Sequence, residues 1–573
     1  MNLQLLYLLL ILLVIVLIYT FLPSSSFRSL GQQSFAQNYI TYEKQSNFIK
    51  EFKIPTNERG LKGVTTDSED NVWFYHSTSN GSMIMKMSKD SANFTKYNIP
   101  GNTTVDTAVI NLAGGQLLFD NTSDTIWFTD ARTNSLGKLD VKINKIDLFP
   151  IPTNSSGIMG LVLSPDRRVL WFTEITGNKI GSLDIESKKI IEYPIGDNSG
   201  PTLLTFDSKG VLWITLSYAN SVLRVEPWLL IPGITSSGMY TISLEKPDFF
   251  SPFGIATIHA KGTEKIFVSD HGSSRVIVAN LDSELKNYTS YWTSPSQALP
   301  MSLPSQVVSD KDGNIFFLEH GGNKIVKISS DNGVMTEFDI PTGPLATSVF
   351  LAVSEDEKRI WFTEWESNKI AYLDNTVQMP LNITVTNNET ISNRSNFTPV
   401  ILKAGESFSV DVRLTLDKNM SSLVLANDTE LSVVGMTDTG LKGVVYTSKP
   451  RTVSLMEDPK KDVDIDLKVE TEKAIAGTYT VMIRASLPEK DNLILSLLYP
   501  QLVRLDVPTK ATDINKIQNF EQFSSKNKES TESPTYIDLI RIGAIAVVII
   551  LVGYLIYHNV VPKIKFKKSR HKN

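Results

Sequence analysis

Short apolar runs recur along the middle of the chain, each closed by a polar turn. Seven of them align: "NVWFYH" around Trp73, "TIWFTD" around Trp127, "VLWFTE" around Trp171, "VLWITL" around Trp213, "KIFVSD" around Phe267, "NIFFLE" around Phe316 and "RIWFTE" around Trp361. They stand 42 to 54 residues apart. Each follows a shorter apolar run, such as "GIMGLVLS" or "SPFGIATI", and precedes a third, such as "KIGSLD" or "KIAYLD". A fourth usually comes next, as in "IIEYPI" and "VMTEFDIP". Such a period marks propellers or solenoids. Four antiparallel strands recurring seven times predict a seven-bladed β-propeller over 48–375. Near-continuous rather than alternating apolarity fits, because a blade has neighbours on both faces. The last repeat lacks its fourth strand, while a spare one stands at the front in "FIKEFKIP", Phe48–Pro55. It is expected to complete the seventh blade and remove an open strand edge.

From about Gln378 the repeat gives way to short alternating strands, including "SFSVDVRLTL", "KDVDIDLKVE" and "GTYTVMIRA". They predict an immunoglobulin-like β-sandwich over 376–509, so the fold class expected is all-β. Residues 510–536 are polar and read as a stalk. Two uncharged segments flank all of this, Leu3–Leu22 and Ile542–Val561, each long enough to span a bilayer. The first belongs to 1–24, an anchor or signal peptide, followed by a linker over 25–47; the second is a transmembrane helix over 537–561. The tail, 562–573, carries six cationic residues and no acid, which places it in the cytoplasm and the bulk of the chain outside the cell membrane.

At 573 residues the chain is long enough for several domains. It has no cysteine, which excludes disulfides, thiolate metal sites and a Cys nucleophile. The formal net charge is −5 with the basic tail included, so the exported part is more acidic and unsuited to nucleic acid. Sequons at Asn80, Asn93, Asn102, Asn121, Asn154, Asn287, Asn382, Asn388, Asn393, Asn396, Asn419 and Asn427 all fall there and are candidate glycosylation sites. The seven central strands end in His76, Asp130, Glu174, Leu216, Asp270, Glu319 and Glu364, on one face of a pseudo-symmetric ring. Asp270, Glu319 and Glu364 are candidate oxygen ligands for a metal, and His271 and His320, which follow two of these acids, are candidate bases. The alternative is that each acid only holds its adjacent turn and pairs with the lysine of "NKI".

The phrases "FIKEFKIPTNERGLKGVTTDSEDNVWFYH", "PIPTNSSGIMGLVLSPDRRVLWFTEITGNKIGSLD" and "RIWFTEWESNKIAYLD" resemble the blade phrase of the streptogramin B lyase family, also called virginiamycin B lyases, over about 48–374. The resemblance implies a seven-bladed propeller. It also implies opening of a cyclic depsipeptide by elimination across its ester, with Mg2+, a histidine base and glutamates. The family's two histidine positions fall on Ser305 and Phe350, its first-blade tyrosine on Lys62, and its last-blade glutamate on Trp365. None of these keeps the family's residue. The expected function is therefore a membrane-anchored surface propeller that binds an extracellular ligand, glycan or surface protein. The alternative is a metal-dependent lyase or lactonase-like enzyme using His320 or His271.

Overall fold

A computed structural model describes residues 42–506, apart from 44–45, 90–92, 102–112, 244–250, 261–262, 282–284, 286–287, 295, 297, 300, 386–399, 404–405, 417–430, 438–445, 448–450, 454–459, 470–476, 480, 488–492 and 499–502. The proposed anchors, linker start, stalk and tail lie outside the described residues. No helix among those described is long and apolar enough to cross a membrane.

Seven sets of four antiparallel strands form the propeller, six of them separate sheets and one part of a larger sheet. Blade one runs Leu61–Thr66, Val72–Thr78, Gly81–Met87 and Phe94–Asn98. Blade two is Leu117–Asp120, Thr125–Asp130, Ser135–Asp140 and Lys145–Pro150, and blade three is Ile158–Leu163, Val169–Glu174, Lys179–Asp184 and Ile190–Pro194. Blade four is Pro201–Phe206, Leu212–Leu216, Ser221–Val225 and Met239–Ile242. Its fourth strand is hidden in the sequence, because an uncharged insertion separates it from the third and leaves Trp228, Leu229, Ile231 and Ile234 exposed. Blade five is Pro252–Ala260, Thr263–Asp270, Arg275–Asn280 and Tyr288–Trp292, and blade six is Pro304–Ser309, Ile315–Glu319, Lys324–Ile328 and Met335–Asp339. Blade seven joins Leu351–Val353, Arg359–Glu364 and Lys369–Asp374 to the early strand Ile49–Lys53. The closing strand is thus the expected one, with Phe52 opposite Ile370 and Glu51 opposite Ala371.

The repeated phrase is a set of construction instructions. The central aromatic ring lies where the third strand leaves space: a Cβ on Gly137 or Gly181 would stand 1.9 or 2.0 Å from the ring of Phe128 or Phe172. The threonine before the last residue of the central strand ties its blade to the next one. Thr129 donates to the Met159 carbonyl at 3.0 Å, Thr215 to Phe253 at 2.6 Å, and Thr173 to Thr202. Thr363 donates to the Lys62 carbonyl and so joins blade seven to blade one. The asparagine of "NKI" takes left-handed φ, 52° at Asn178, 57° at Asn323 and 59° at Asn368. Asparagine tolerates that region better than most residues. Its side-chain oxygen then accepts from the loop of the next blade, as from Ser199 N at 2.9 Å and Ala346 N at 2.7 Å.

Beyond the propeller the described strands are again all β. One sheet orders Leu381–Val385, Ser407–Leu416, Lys460–Val469 and Tyr446–Thr447. A second orders Leu493–Leu498, Val481–Leu487, Leu431–Thr437 and Arg451–Val453, and a third pairs Val503–Asp506 with Val400–Lys403 in parallel and with Gly477–Tyr479 antiparallel. Ile383, Val410, Val412 and Leu414 of the first sheet share a core with Ile483, Ala485, Leu493 and Leu495 of the second. The second sheet does not stop there. Leu493–Leu498 pairs with the outer strand of blade six, Thr336 facing Leu495, so one eight-stranded sheet runs from the propeller into the second region. The boundary read near residue 376 divides the chain in sequence but not in sheet structure.

Candidate functional site

The seven central strands deliver their C-terminal ends to one face, together with the bulged starts of the inner strands. In five blades the inner strand slips register across two residues, for example between Leu61 and Val64 and between Pro304 and Val307. A bulge re-aims side chains at such a rim.

His76, Asp130, Glu174, Asp270, Glu319 and Glu364 are all fully buried. Glu174, Glu319 and Glu364 stand directly opposite the "NKI" lysines Lys179, Lys324 and Lys369. Two of those lysines reach past them to an outer-strand acid: Lys179 to Glu192 and Lys369 to Glu51, both at 2.7 Å. The outer-strand acids also accept from the preceding loop, Glu192 from Thr153 N at 2.9 Å, Glu51 from Thr342 N at 2.9 Å and Glu337 from Ser294 N at 2.7 Å. Burial first, then the neighbouring Glu192, pushes Glu174 up to about 8. Burial and the adjacent Glu337 and Glu51 likewise raise Glu319 and Glu364 well above the usual carboxyl range. Asp270 is engaged differently, by Arg275 at 3.0 Å and the Ser251 and Ser273 amides at 3.0 and 3.2 Å.

Magnesium wants several charged oxygens in near-octahedral array. The three candidate acids sit one to a blade, two of them with their carboxyls held towards the neutral form, and among the described residues no three of His, Asp and Glu form a group able to hold an ion. These residues do not fit the ion.

The residues one step beyond the strand ends are half-buried in five of the seven blades. In chain order these are Ser77, Ala131, Ile175, Ser217, His271, His320 and Trp365. His271 and His320 are brought together, ring centroids 5.0 Å apart, with Phe253 5.6 Å from His271. His271 Nδ1 lies 3.0 Å from the Pro304 carbonyl and so carries the proton. His320 Nδ1 has no hydrogen-bond partner among the described residues. Burial lowers both histidines, and with His271 alongside, His320 falls to about 3, so the pair is neutral at physiological pH.

Apolar residues pack together beside the start of the inner strands. Ala113, Ala131, Met159, Ile175, Leu203 and Phe350 share one cluster, with Phe253 packed against it. Ser305 gives its hydroxyl to the Val349 carbonyl at 3.0 Å and is fully buried. Lys62 stands between Trp365, with its Nζ 5.4 Å from the ring, and the Ala113 carbonyl, to which it donates at 2.7 Å. The strand-end acids gave no sign of Met159, Leu203 and Phe253, and Lys62 and Phe350 were reached only through the family resemblance. The signals were the residue one step beyond each acid and a lysine inside an otherwise buried strand.

Residues 47–228, from the closing strand into blade four, match the model described as the Virginiamycin B lyase family. No curated protein matches the chain. Among solved structures, a streptogramin B lyase is 23% identical, covering 57% of this chain and 97% of its own at a TM-score of 0.47. Virginiamycin B lyase from Staphylococcus aureus is 22% identical, covering 57% and 98% at 0.46. A protein described as the extracellular domain of a hybrid two component system from B. thetaiotaomicron is 12% identical, covering 81% and 60% at 0.43.

Proposed function

We propose that this propeller, whose first blades carry the sequence of the virginiamycin B lyase family, binds an extracellular ligand on its central face without performing the family's elimination. What supports the reading is that Met159, Leu203 and Phe350 belong to one apolar cluster with Phe253 packed against it, while the strand-end carboxyls of Glu174, Glu319 and Glu364 are buried. Apolar concave surfaces with a few polar groups are what ligand sites look like. The positions that the family resemblance makes catalytic carry Ser305, Phe350, Lys62 and Trp365. In this proposal the second region is an immunoglobulin-like sandwich that holds the propeller off the membrane, with Leu3–Leu22 and Ile542–Val561 as anchors and the sequons glycosylated.

The neutral pair His271 and His320 favours a second reading, a lyase or lactonase-like enzyme with one of them as base. That reading also needs Asp270, Glu319 or Glu364 to hold a metal. Calorimetric titration of the full chain with MgCl2 separates the two. Binding without catalysis is expected to give no saturable magnesium signal, whereas saturable binding lost in Glu319→Gln would move the weight to the enzyme.

A further inference from the structure

Blade four leaves an apolar loop uncovered at the end of the blade away from the proposed ligand face. Its third strand begins with Ser221 opposite Leu216, the last residue of the central strand, and ends with Val225 opposite Leu212, the first. The insertion that follows therefore emerges at the other end of the blade from the strand-end residues. From Pro227 to Leu244 it carries no charged side chain. Trp228, Leu229, Ile231 and Ile234 are 61, 44, 51 and 51% exposed, while Leu230 among them packs against the blade-four core. The backbone is built to hold that display. A short 3-10 turn spans Pro227–Leu229, the Leu229 amide donates to the Glu226 carbonyl at 2.9 Å and the Ile234 amide to the Ile231 carbonyl at 3.1 Å. The Ser237 hydroxyl donates to the Leu229 carbonyl at 2.6 Å. Pro227 and Pro232 have no amide hydrogen to satisfy. Gly238, at φ 64°, closes the loop where a Cβ would stand 2.9 Å from the Glu226 carbonyl oxygen. The charges at its base pair with each other, Arg224 with Glu226 at 2.6 Å, and the Arg224 guanidinium lies 5.3 Å from the Tyr240 ring.

We infer that this loop is a lipid-contacting prong, which seats Trp228, Leu229, Ile231 and Ile234 at the water–lipid boundary of the bilayer that the chain itself spans. The inference rests on the reading of Leu3–Leu22 and Ile542–Val561 as anchors and adds how the propeller meets the membrane. Three features select a bilayer over another protein. A tether the length of 510–536 holds the loop beside the lipid at an effective concentration on the order of millimolar, so a contact too small to recruit a free protein suffices. The uncharged run suits the boundary of the acyl chains, where Trp and aliphatic side chains settle, whereas a patch for anionic headgroups would carry lysines. Backbone groups bonded within the loop can leave water without a new partner. The second region supports the ring at blade six, and the prong gives it a footing at blade four that leaves the ligand face turned outward.

The chain has no cysteine, so Ile231→Cys gives a single attachment point for a nitrobenzoxadiazole label. The test uses the full chain with phosphatidylcholine vesicles, with and without doxyl-labelled lipid as a quencher confined to the bilayer. Tyr218→Cys is the control, an exposed position in the turn at the opposite end of the same blade. The label at 231 is expected to shift to the blue and lose about half its emission or more to the doxyl lipid, as a group seated in the acyl boundary does. The label at 218 is expected to do neither. Quenching at 231 is expected to persist at about 1 M NaCl, because an uncharged contact is not screened. A label at 231 that stays in water beside vesicles would overturn the inference. A blue shift without lipid quenching would also overturn it, since the loop would then be covered by protein, as in contact between two copies. Carbonate extraction of the same vesicles reads the anchors by themselves: retention supports them whatever the label does, and release refutes them while the label still decides the prong.

Discussion

Thr363 shows how a single hydroxyl serves the ring. It donates to the Lys62 carbonyl at the junction where the last blade meets the first, and both residues are buried. Thr363→Val keeps the shape and removes that hydrogen bond between the two blades, which costs about 0.5–1.5 kcal/mol. Urea unfolding is expected to show the loss as a lower midpoint with an unchanged slope. Glu174 is the residue to test by pH. Its folded value, near 8, lies above the ordinary 4.5, so the folded state keeps a proton that the unfolded state gives up. Its contribution is full below about pH 4.5 and is lost as pH rises through about 8. Glu174→Gln removes the titration, and its stability relative to the parent is expected to increase steadily between pH 5 and 8.5. Lys62 has the opposite sign: held near 7 in the folded state, it adds stability as pH rises from there towards 10.5.

At the scale of elements, closure by Ile49–Lys53 makes the ring depend on a strand far away in sequence. Phe52 packs against Trp361 and Tyr372, with ring centroids 6.0 and 6.1 Å away. Phe52→Pro removes a ladder donor from that strand, for a loss of about 1–3 kcal/mol. Thermal unfolding is expected to begin earlier and lose cooperativity, with hydrogen exchange rising first along Lys369–Asp374. The closing strand was legible because it repeats the phrase of the other outer strands, and the central strands because burial on both faces leaves one-sided alternation no place. The pairing of blade six with the second region was not. Edge pairing of Thr336 with Leu495 is made of backbone groups and leaves no period in the sequence. The orientation of the acids was half legible: their shared level in the ring follows from the register, but whether they faced the open centre depended on outer-strand acids such as Glu192 and Glu51, distant in the chain. Lys62 reads as an oddity in an apolar strand, and only the fold shows the Ala113 carbonyl and Trp365 around it.

At the scale of the whole molecule, the sheet that crosses from blade six makes the second region part of the propeller's support rather than a free appendage. Arg484 fastens that seam, donating to the Trp292 carbonyl at 3.0 Å and to Ser496 at 3.1 Å, with buried Glu337 at 3.9 Å. Arg484→Ala withdraws a cation from a buried carboxylate, a change of about 3–5 kcal/mol when such a pair is broken. Amide exchange is expected to rise in both Met335–Asp339 and Leu493–Leu498. A rise confined to one strand would mean that the two do not share stability. The face itself is tested most directly by incubating the full chain with a streptogramin B depsipeptide, with and without magnesium, and following it by chromatography and fragmentation mass spectrometry. Intact depsipeptide under both conditions is the result expected of a propeller that binds without eliminating. Magnesium-dependent ring opening at unchanged mass, lost in His320→Ala, would contradict it.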